Sequence, residues 1–311
     1  MSKYPQSPET CVAAWIEYNR TEEGLRKKTL KGYSDRIKVV NSIMADNEKE
    51  TLPYCWTKDD AKWFVDFCLN DRGLKVKTAL GYYFVMSAIS RFYDNLAVAK
   101  APIHWPYDTT TTRTWLELAE AIKVASWPMT EKQNVGISLM LTMGRRRCEN
   151  IRADVDDFHI GEKEQYMTVK GKGSKIFNMP FAPNFEKKLT DYLDNYRWPL
   201  ILEACNDNVK KAEAVKPLII SKHGRNYGRY DEIKGSGYDD AITNAVSIDC
   251  GIHFKNHDLR RTFGRELYYT SKVDIVTIKN YYGHSSIDDT LWYIGADQRR
   301  MAEEIQKIPF G

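Results

Sequence analysis

Four short stretches of the chain carry side chains able to do chemistry on a phosphodiester. Gly144-Arg145-Arg146-Arg147-Cys148-Glu149 sets three arginines at the end of an apolar segment, and Gly171-Lys172-Gly173-Ser174 is a glycine-rich turn with Lys172 at its tip. His257-Asp258-Leu259-Arg260 spaces a histidine and an arginine three apart, so on a helix both face one ligand. The stretch from Gly283 to Tyr293 (GHSSIDDTLWY) holds His284 and ends on a tyrosine. Each alone is ordinary: a solvated helix end, a hairpin with a surface lysine, a helix face, a core tyrosine. As a set they suit phosphoryl transfer. Arginine forks neutralise and orient phosphate oxygens. Histidines donate hydrogen bonds or shuttle protons near neutral pH. A lysine can protonate a leaving oxygen, and a tyrosine oxygen can be a covalent nucleophile. No metal-binding carboxylate cluster accompanies them, so the arginines must supply what metals supply in many nucleases. The Gly171-Lys172-Gly173 turn lacks the glycine spacing and Gly-Lys-Ser/Thr ending of a nucleotide-binding P-loop.

The elements that must position these groups are mostly helices. Ser7 before Pro8 is an N-cap with proline at the first helical position. Leu30, Tyr33, Ile37, Val40 and Met44 make one helical stripe, with Lys27, Lys28, Lys31 and Lys38 largely off it. Tyr82, Val85, Ile89, Phe92 and Leu96 make another, and Thr57 with two following acids opens a helix running to Leu69. Residues 1–101 therefore read as an all-helical domain. Residues 102–112, with two prolines and a threonine run, read as a linker. In the second domain, 113–311, the segments 115–124 and 133–143 read as helices. Tyr166–Val169 and Ile176–Met179 flank the glycine turn as a β-hairpin, and helices resume from Asp258. Gly283 ends one helix, and Ser286 with Asp289 resembles a capping box opening the next. The fold expected is mainly α with a small antiparallel β-sheet.

Composition narrows the class. Of 311 residues, 42% are hydrophobic and 28% charged, which excludes a collagen, a rod and a wholly disordered chain. Charges interrupt every apolar run short of the ~20 residues that cross a bilayer, and the first residues lack a signal-peptide core. A soluble, cytoplasmic protein without membrane association is expected. The six cysteines contain no C-x-x-C pair, which argues against a disulfide framework or a zinc site. The net charge, 46 minus 42, is only +4, but Arg26, Lys27, Lys28, Lys31, Arg36 and Lys38 concentrate it on one short segment.

The four stretches resemble the signature boxes of the tyrosine recombinases, the phage-integrase family. Its members typically read Thr-Gly-Leu-Arg-x-x-Glu-Leu, then Gly-Lys-Gly-x-Lys, then His-x-Leu-Arg-His-Thr-Phe, then Leu-Gly-His-Ser-Ser-x-x-Thr-Thr-x-x-Tyr. The counterparts are Thr142–Asn150 (TMGRRRCEN), Gly171–Lys175 (GKGSK), His257–Phe263 (HDLRRTF) and Gly283–Tyr293, in the same order. Intervals fit too: 26 residues from Arg146 to Lys172, 85 on to His257, 24 from Arg260 to His284 and 9 to Tyr293.

The resemblance implies a helical core-binding domain plus a mixed α/β catalytic domain, closing as a C-shaped clamp on duplex DNA, in the compact Xer/Cre-like arrangement. By position it makes Tyr293 the nucleophile that forms a 3′-phosphotyrosine, with Arg146 and Arg260 clamping the phosphate and His284 adding a hydrogen bond. Lys172 would protonate the leaving 5′-oxygen, and His257 would assist proton transfer at the nucleophile. It implies a site-specific recombinase that needs no metal, ATP or other cofactor. Its partners would be double-stranded DNA bearing a recombination site and three further copies, with the tail, about 294–311, docking on a neighbouring protomer. Such a protein would be associated with the nucleoid. Type IB topoisomerases and telomere-resolving enzymes use the same chemistry, and a catalytically idle DNA-binding protein could keep the scaffold.

Some positions depart from the family pattern. Arg146 is assigned by its place three before Glu149; Arg145 and Arg147 stand where apolar or small residues are usual. Arg261 replaces a common histidine and Tyr282 a leucine. Lys27, Lys28, Lys31, Lys38, Arg145, Arg147, Lys175 and Arg261 are the candidates for DNA-backbone contacts.

Overall fold

The computed structural model describes residues 4–106, 114–161, 165–171, 176–221 and 231–296. The chain divides into two compact units, Met1–Thr111 and Thr112–Gly311. Lys172, Lys175 and the tail beyond Ala296 lie outside the described residues, as does most of the expected linker.

The first unit is helical: α1 (Pro8–Thr21), α2 (Lys27–Asp46), α3 (Lys58–Asp66) and α4 (Val76–Phe92). Ser7 caps α1 by accepting from the Thr10 N–H, and Thr57 and Asp60 cap α3 reciprocally. The expected stripe of α2 faces the core: Leu30, Ile37, Val40 and Met44 are buried, and Tyr33 stacks on Trp15 at 5.4 Å. Lys27, Lys28, Lys31 and Lys38 lie exposed on the same helix. The stripe predicted to reach Leu96 stops short. Asp94 takes a positive φ of 60° just past the end of α4, and Leu96 is left 50% exposed. The helix expected to reach Leu69 also changes character, passing after Asp66 into a π turn, Phe67–Asp71.

The second unit begins with α5 (Leu118–Ser126), α6 (Glu131–Leu141) and α7 (Arg147–Ile151). Then come β1 (Phe158–His159), β2 (Tyr166–Lys170) and β3 (Ile176–Pro180), followed by α8 (Pro183–Tyr192), α9 (Trp198–Ala204) and α10 (Val209–Glu213). A two-stranded ladder, β4 (Ile220–Ser221) with β5 (Asp231–Glu232), precedes α11 (Gly235–Tyr238), α12 (Asn244–Cys250), α13 (Asn256–Tyr269), α14 (Ile275–Tyr282) and α15 (Ile287–Ile294). The fold is mainly α with a small antiparallel sheet.

Helix α6 is the centre of this unit, because every residue from Val135 to Leu141 is buried. A helix apolar all round must be enclosed, and α8, α13 and the π turn Asp239–Thr243 pack against it. The expected hairpin is present, with Met167 opposite Met179 and Val169 opposite Phe177. Strand β1, too short to show a pattern, adds a third strand in the order β1-β2-β3. The helix predicted from Trp115 starts only at Leu118, where Glu117 and Glu120 form the cap. Trp115 instead lies 3.8 Å from the Arg265 guanidinium.

Past the end of α6 the backbone reverses at Gly144, whose φ is +61°. A Cβ there would sit 2.5 Å from Phe263 and 2.8 Å from Tyr282. Both the left-handed backbone and the ring contacts demand glycine. Gly144→Ala is expected to cost roughly 2–4 kcal/mol, read as a lowered thermal midpoint. An unchanged midpoint would mean this turn bears no strain.

Candidate active site

The turn at Gly144 delivers Arg145 and Arg146 to the start of α7, where Arg146 is the N-cap residue in extended conformation. Glu149, three residues on and 2% exposed, ties the arginines together. It accepts from the Arg146 backbone N–H at 2.9 Å and from Arg146 Nη1 at 2.8 Å. Arg145 Nη1 lies 3.7 Å and Arg260 Nη1 3.9 Å from its other oxygen. Burial alone would raise the Glu149 pKa, but Arg145, Arg260 and Arg146 outweigh it and hold the carboxyl below its usual range. Three guanidiniums against one carboxylate leave two positive charges in excess.

Backbone carbonyls orient the forks. The Tyr282 carbonyl accepts from both Arg146 Nη2 and Arg260 Nη2, each at 3.3 Å. Arg260 Nη1 donates to the Gly144 carbonyl. The Tyr282 ring lies 4.0 Å from the Arg260 guanidinium, and its hydroxyl donates to the Arg260 carbonyl at 2.6 Å. Arg260, only 1% exposed, therefore has almost no rotamer freedom. Arg146 keeps a quarter of its side chain open to solvent.

Helix α14 ends at Gly283, in left-handed conformation with φ 64°, and turns His284 toward this pair. Together with Arg146, Trp292 and Tyr293, His284 lines a surface pocket of about 320 Å³. Its Nδ1 is 3.0 Å from Thr290 Oγ1. Burial, reinforced by Arg260 and Arg146, pushes the His284 pKa down to about 4, so the ring is neutral at neutral pH. In the tautomer where Thr290 donates to Nδ1, the ring proton sits on Nε2. Ser286 caps α15 by accepting from the Asp289 N–H at 3.0 Å, which points Tyr293, two turns along, back at the cluster.

Tyr293 meets His284 and Tyr282 edge-on, with ring centroids at 5.3 and 5.8 Å. Its hydroxyl is 3.5 Å from His257 Nδ1, and the guanidiniums of Arg261 and Arg260 lie 5.3 and 5.8 Å from its ring centroid. Burial raises the Tyr293 pKa, with Arg260 and Arg261 pulling the other way. Ionising this hydroxyl near neutral pH would therefore require a proton acceptor. His257, on the exposed side, has its own pKa lowered by partial desolvation and by Arg261, Arg260 and Arg146. The neutral ring is thus favoured.

Five of the six predicted catalytic residues, Arg146, His257, Arg260, His284 and Tyr293, thus converge; the sixth, Lys172, is outside the described residues. Among the backbone-contact candidates, Arg145 needs correction. It is 0% exposed, with its guanidinium 5.0 Å from the Tyr281 ring centroid and 6.0 Å from that of Phe177, so it presents nothing to solvent. Arg147 is exposed and paired with Asp239. Arg261 turns inward to Tyr293. Sequence reasoning used Glu149 only to align Arg146, and gave no role to Tyr282 or Thr290. A lone acid two residues past the end of an arginine run was the available signal for Glu149. Among the described residues, no group of His, Cys, Asp or Glu is placed to hold a metal ion, and no helix is long and apolar enough to cross a membrane.

The Arg145 side chain makes one hydrogen bond, Nε to the Met143 carbonyl at 2.8 Å, and both Nη atoms are buried without one. With three guanidiniums around one carboxylate, removing the wholly buried one relieves like-charge repulsion and the cost of its unsatisfied donors. Arg145→Leu is expected to raise stability by about 1 kcal/mol in thermal unfolding. Glu149→Gln, which leaves three arginines uncompensated, is expected to cost about 3 kcal/mol. The reverse order would refute the charge balance drawn here.

The chain is similar to known proteins. The model of the phage integrase family matches residues 110–300. Tyrosine recombinase XerD of Oceanobacillus iheyensis is 24% identical over 311 residues, covering 96% of this chain and 97% of that one. The XerD of Staphylococcus epidermidis is 22% identical over 299 residues, 91% and 93% of the two chains. Among solved structures, a lambda integrase dimer bound to a COC′ core site superposes with a TM-score of 0.65 at 16% identity, covering 92% of this chain and 94% of that one. A lambda integrase tetramer bound to a Holliday junction gives 0.66 at 15%, covering 94% and 78%. These structures share the fold. With the family model spanning well over half its length, the chain belongs to the phage integrase family, the family of the tyrosine recombinases.

Proposed function

We propose that the chain recombines double-stranded DNA at a specific site through a covalent 3′-phosphotyrosine, without metal or ATP. The observation that carries this reading is the Tyr293 hydroxyl, 3.5 Å from the neutral base His257 and beside a pocket lined by Arg146 and His284. A scissile phosphate seated there meets Arg146 and Arg260, which neutralise its non-bridging oxygens, and His284, which donates as a neutral ring. Tyr293 Oη attacks phosphorus as its proton passes to His257. The bond from phosphorus to the 5′-oxygen breaks, and that oxygen takes a proton from Lys172, a role resting on the family motif. One phosphodiester is exchanged for another, so rejoining to a different 5′-hydroxyl consumes no energy source.

The exposed lysines of α2 and Arg147 supply further backbone charge in this reading. Four protomers would hold two duplexes, with the tail beyond Ala296 docking in trans, as a nucleoid-associated enzyme. The tetrameric lambda integrase on a Holliday junction, which shares the fold, is the precedent.

The test uses supercoiled DNA carrying the segment beside the native gene, quenched in detergent. Wild type should leave protein attached to a 3′ end in the presence of a chelator, and Tyr293→Phe should leave none. An adduct that survives Tyr293→Phe refutes the nucleophile; tight binding with no adduct in wild type indicates an idle binder. Affinity should fall with salt at a slope of about 0.9 per phosphate contacted, and a flat response would oppose backbone recognition. If the tail docks in trans, truncation after Arg300 should abolish synapsis while sparing single-site binding.

A further inference from the structure

Arg261 stands out among the charged groups around Tyr293 because no strong interaction accounts for its placement. Its Nη1 lies 3.5 Å from Asp258 Oδ1 and 3.5 Å from the Thr114 carbonyl. Both are long, and its Nε is buried with no hydrogen bond. Asp258 already accepts from the Thr114 hydroxyl at 2.6 Å and from the Lys255 N–H at 2.9 Å. By contrast Arg260, the other cation facing Tyr293, is engaged by the carbonyls of Gly144 and Tyr282. What Arg261 does face is the nucleophile: its guanidinium is 5.3 Å from the Tyr293 ring centroid. On α13 it falls four residues after His257, on the same side of the helix. One residue therefore stands beside both members of the Tyr293–His257 pair.

We propose that Arg261 is a positioning residue for the nucleophile, holding the Tyr293 ring against His257 and stabilising the phenolate charge as the proton leaves. This role is distinct from the DNA-backbone contact that its sequence position suggests, and it rests on Tyr293 being the nucleophile. A cation at the ring restrains its orientation through the ring's negative face. The same charge favours the phenolate over the phenol. It also disfavours the imidazolium form of His257, so the base stays available at lower pH. The charged groups that face His257 are Arg261 and Arg260 on its own helix, Arg146 from the start of α7, and Asp258, which acts in the opposite sense. Removing one of three cations lets His257 hold its proton to higher pH. The rate, which requires the unprotonated base, then loses its acid limb sooner, and that limb moves up in pH.

The test compares wild type, Arg261→Met and Arg261→Lys on a nicked duplex that traps the covalent adduct, at saturating protein, from about pH 5 to 9. Arg261→Met should cut the rate on the order of tenfold near neutral pH. Its acid limb should shift upward while affinity stays within about twofold of wild type. Arg261→Lys, which restores the charge, should recover most of both. A second measurement needs no DNA. With six histidines in the chain, the His257 ring resonances are assigned by comparison with His257→Gln, and their titration midpoint should rise in Arg261→Met but not in Arg261→Lys. Arg261→Met that cleaves at the wild-type rate would overturn the proposal, and one that loses affinity with a shallower salt slope would make the residue a backbone contact. A slower rate with neither the acid limb nor the His257 midpoint displaced would leave only a packing role. Tyr293→Phe run alongside keeps the two readings apart: an adduct in that variant overturns the nucleophile itself, whereas its absence with a normal Arg261→Met overturns only this proposal.

Discussion

The buried carboxylate of Glu149 is the interaction on which the site depends. Guanidiniums cannot be packed into a protein interior without an anion, since an uncompensated buried charge costs several kcal/mol. Here one carboxylate answers to Arg145, Arg146 and Arg260. Because it also accepts the Arg146 backbone N–H, the same oxygens that balance charge set the first turn of α7. The turn at Gly144 follows from this arrangement, for only a left-handed reversal next to the rings of Phe263 and Tyr282 lets α6 end and the arginines begin within so few residues.

Two positive charges remain uncompensated, and in the proposed reaction they meet the phosphate. A site that has taken up the cost of holding like charges together before the substrate arrives needs no reorganisation when negative charge develops on the phosphoryl oxygens. Tyr282 performs the complementary task with neutral groups. Its carbonyl receives both arginine forks, its hydroxyl fixes the backbone of Arg260, and its ring borders both Arg260 and Tyr293. A leucine, usual at this position in the family, offers the carbonyl but neither the hydroxyl nor the ring. The departure therefore reinforces the scaffold beneath the arginines.

How far the sequence conveyed this varied with the range of the interaction. Local patterns carried well: Ser7, Thr57 and Ser286 cap their helices as their neighbours suggested, and the hairpin follows from two β-type runs about a glycine turn. Helix ends carried less well, because Asp94 and the Glu117 cap displace boundaries that hydrophobic spacing alone extends. Recognition of the motifs supplied the candidates for the reactive groups, though it could not separate the three neighbouring arginines by environment. Arg145 and Arg147 are chemically identical and two residues apart in the sequence, yet one lies wholly inside and the other is exposed and paired with Asp239. Nothing local distinguishes them. Their fates are decided by Tyr281, Phe177 and Asp239, which lie tens of residues away in the chain and are brought up only by the tertiary fold.

Burial favours the neutral form of both histidines and the arginines reinforce it, which links binding to proton transfer. Arg260 and Arg146 help hold both His284 and His257 in the neutral form. A neutral His257 can accept a proton, and in the tautomer where Thr290 donates to Nδ1 a neutral His284 donates through Nε2. When a phosphate enters and neutralises part of that positive field, the field opposing protonation weakens. His257 then gains proton affinity at the stage when, in the proposed reaction, Tyr293 must give its proton up. By the same electrostatics, the Tyr293 phenol becomes harder to ionise as the phosphate screens Arg260 and Arg146, so a cation that stays close to the tyrosine while the others engage substrate has a distinct use. Arg261 is so placed, against the Tyr293 ring and on the helix that carries the base.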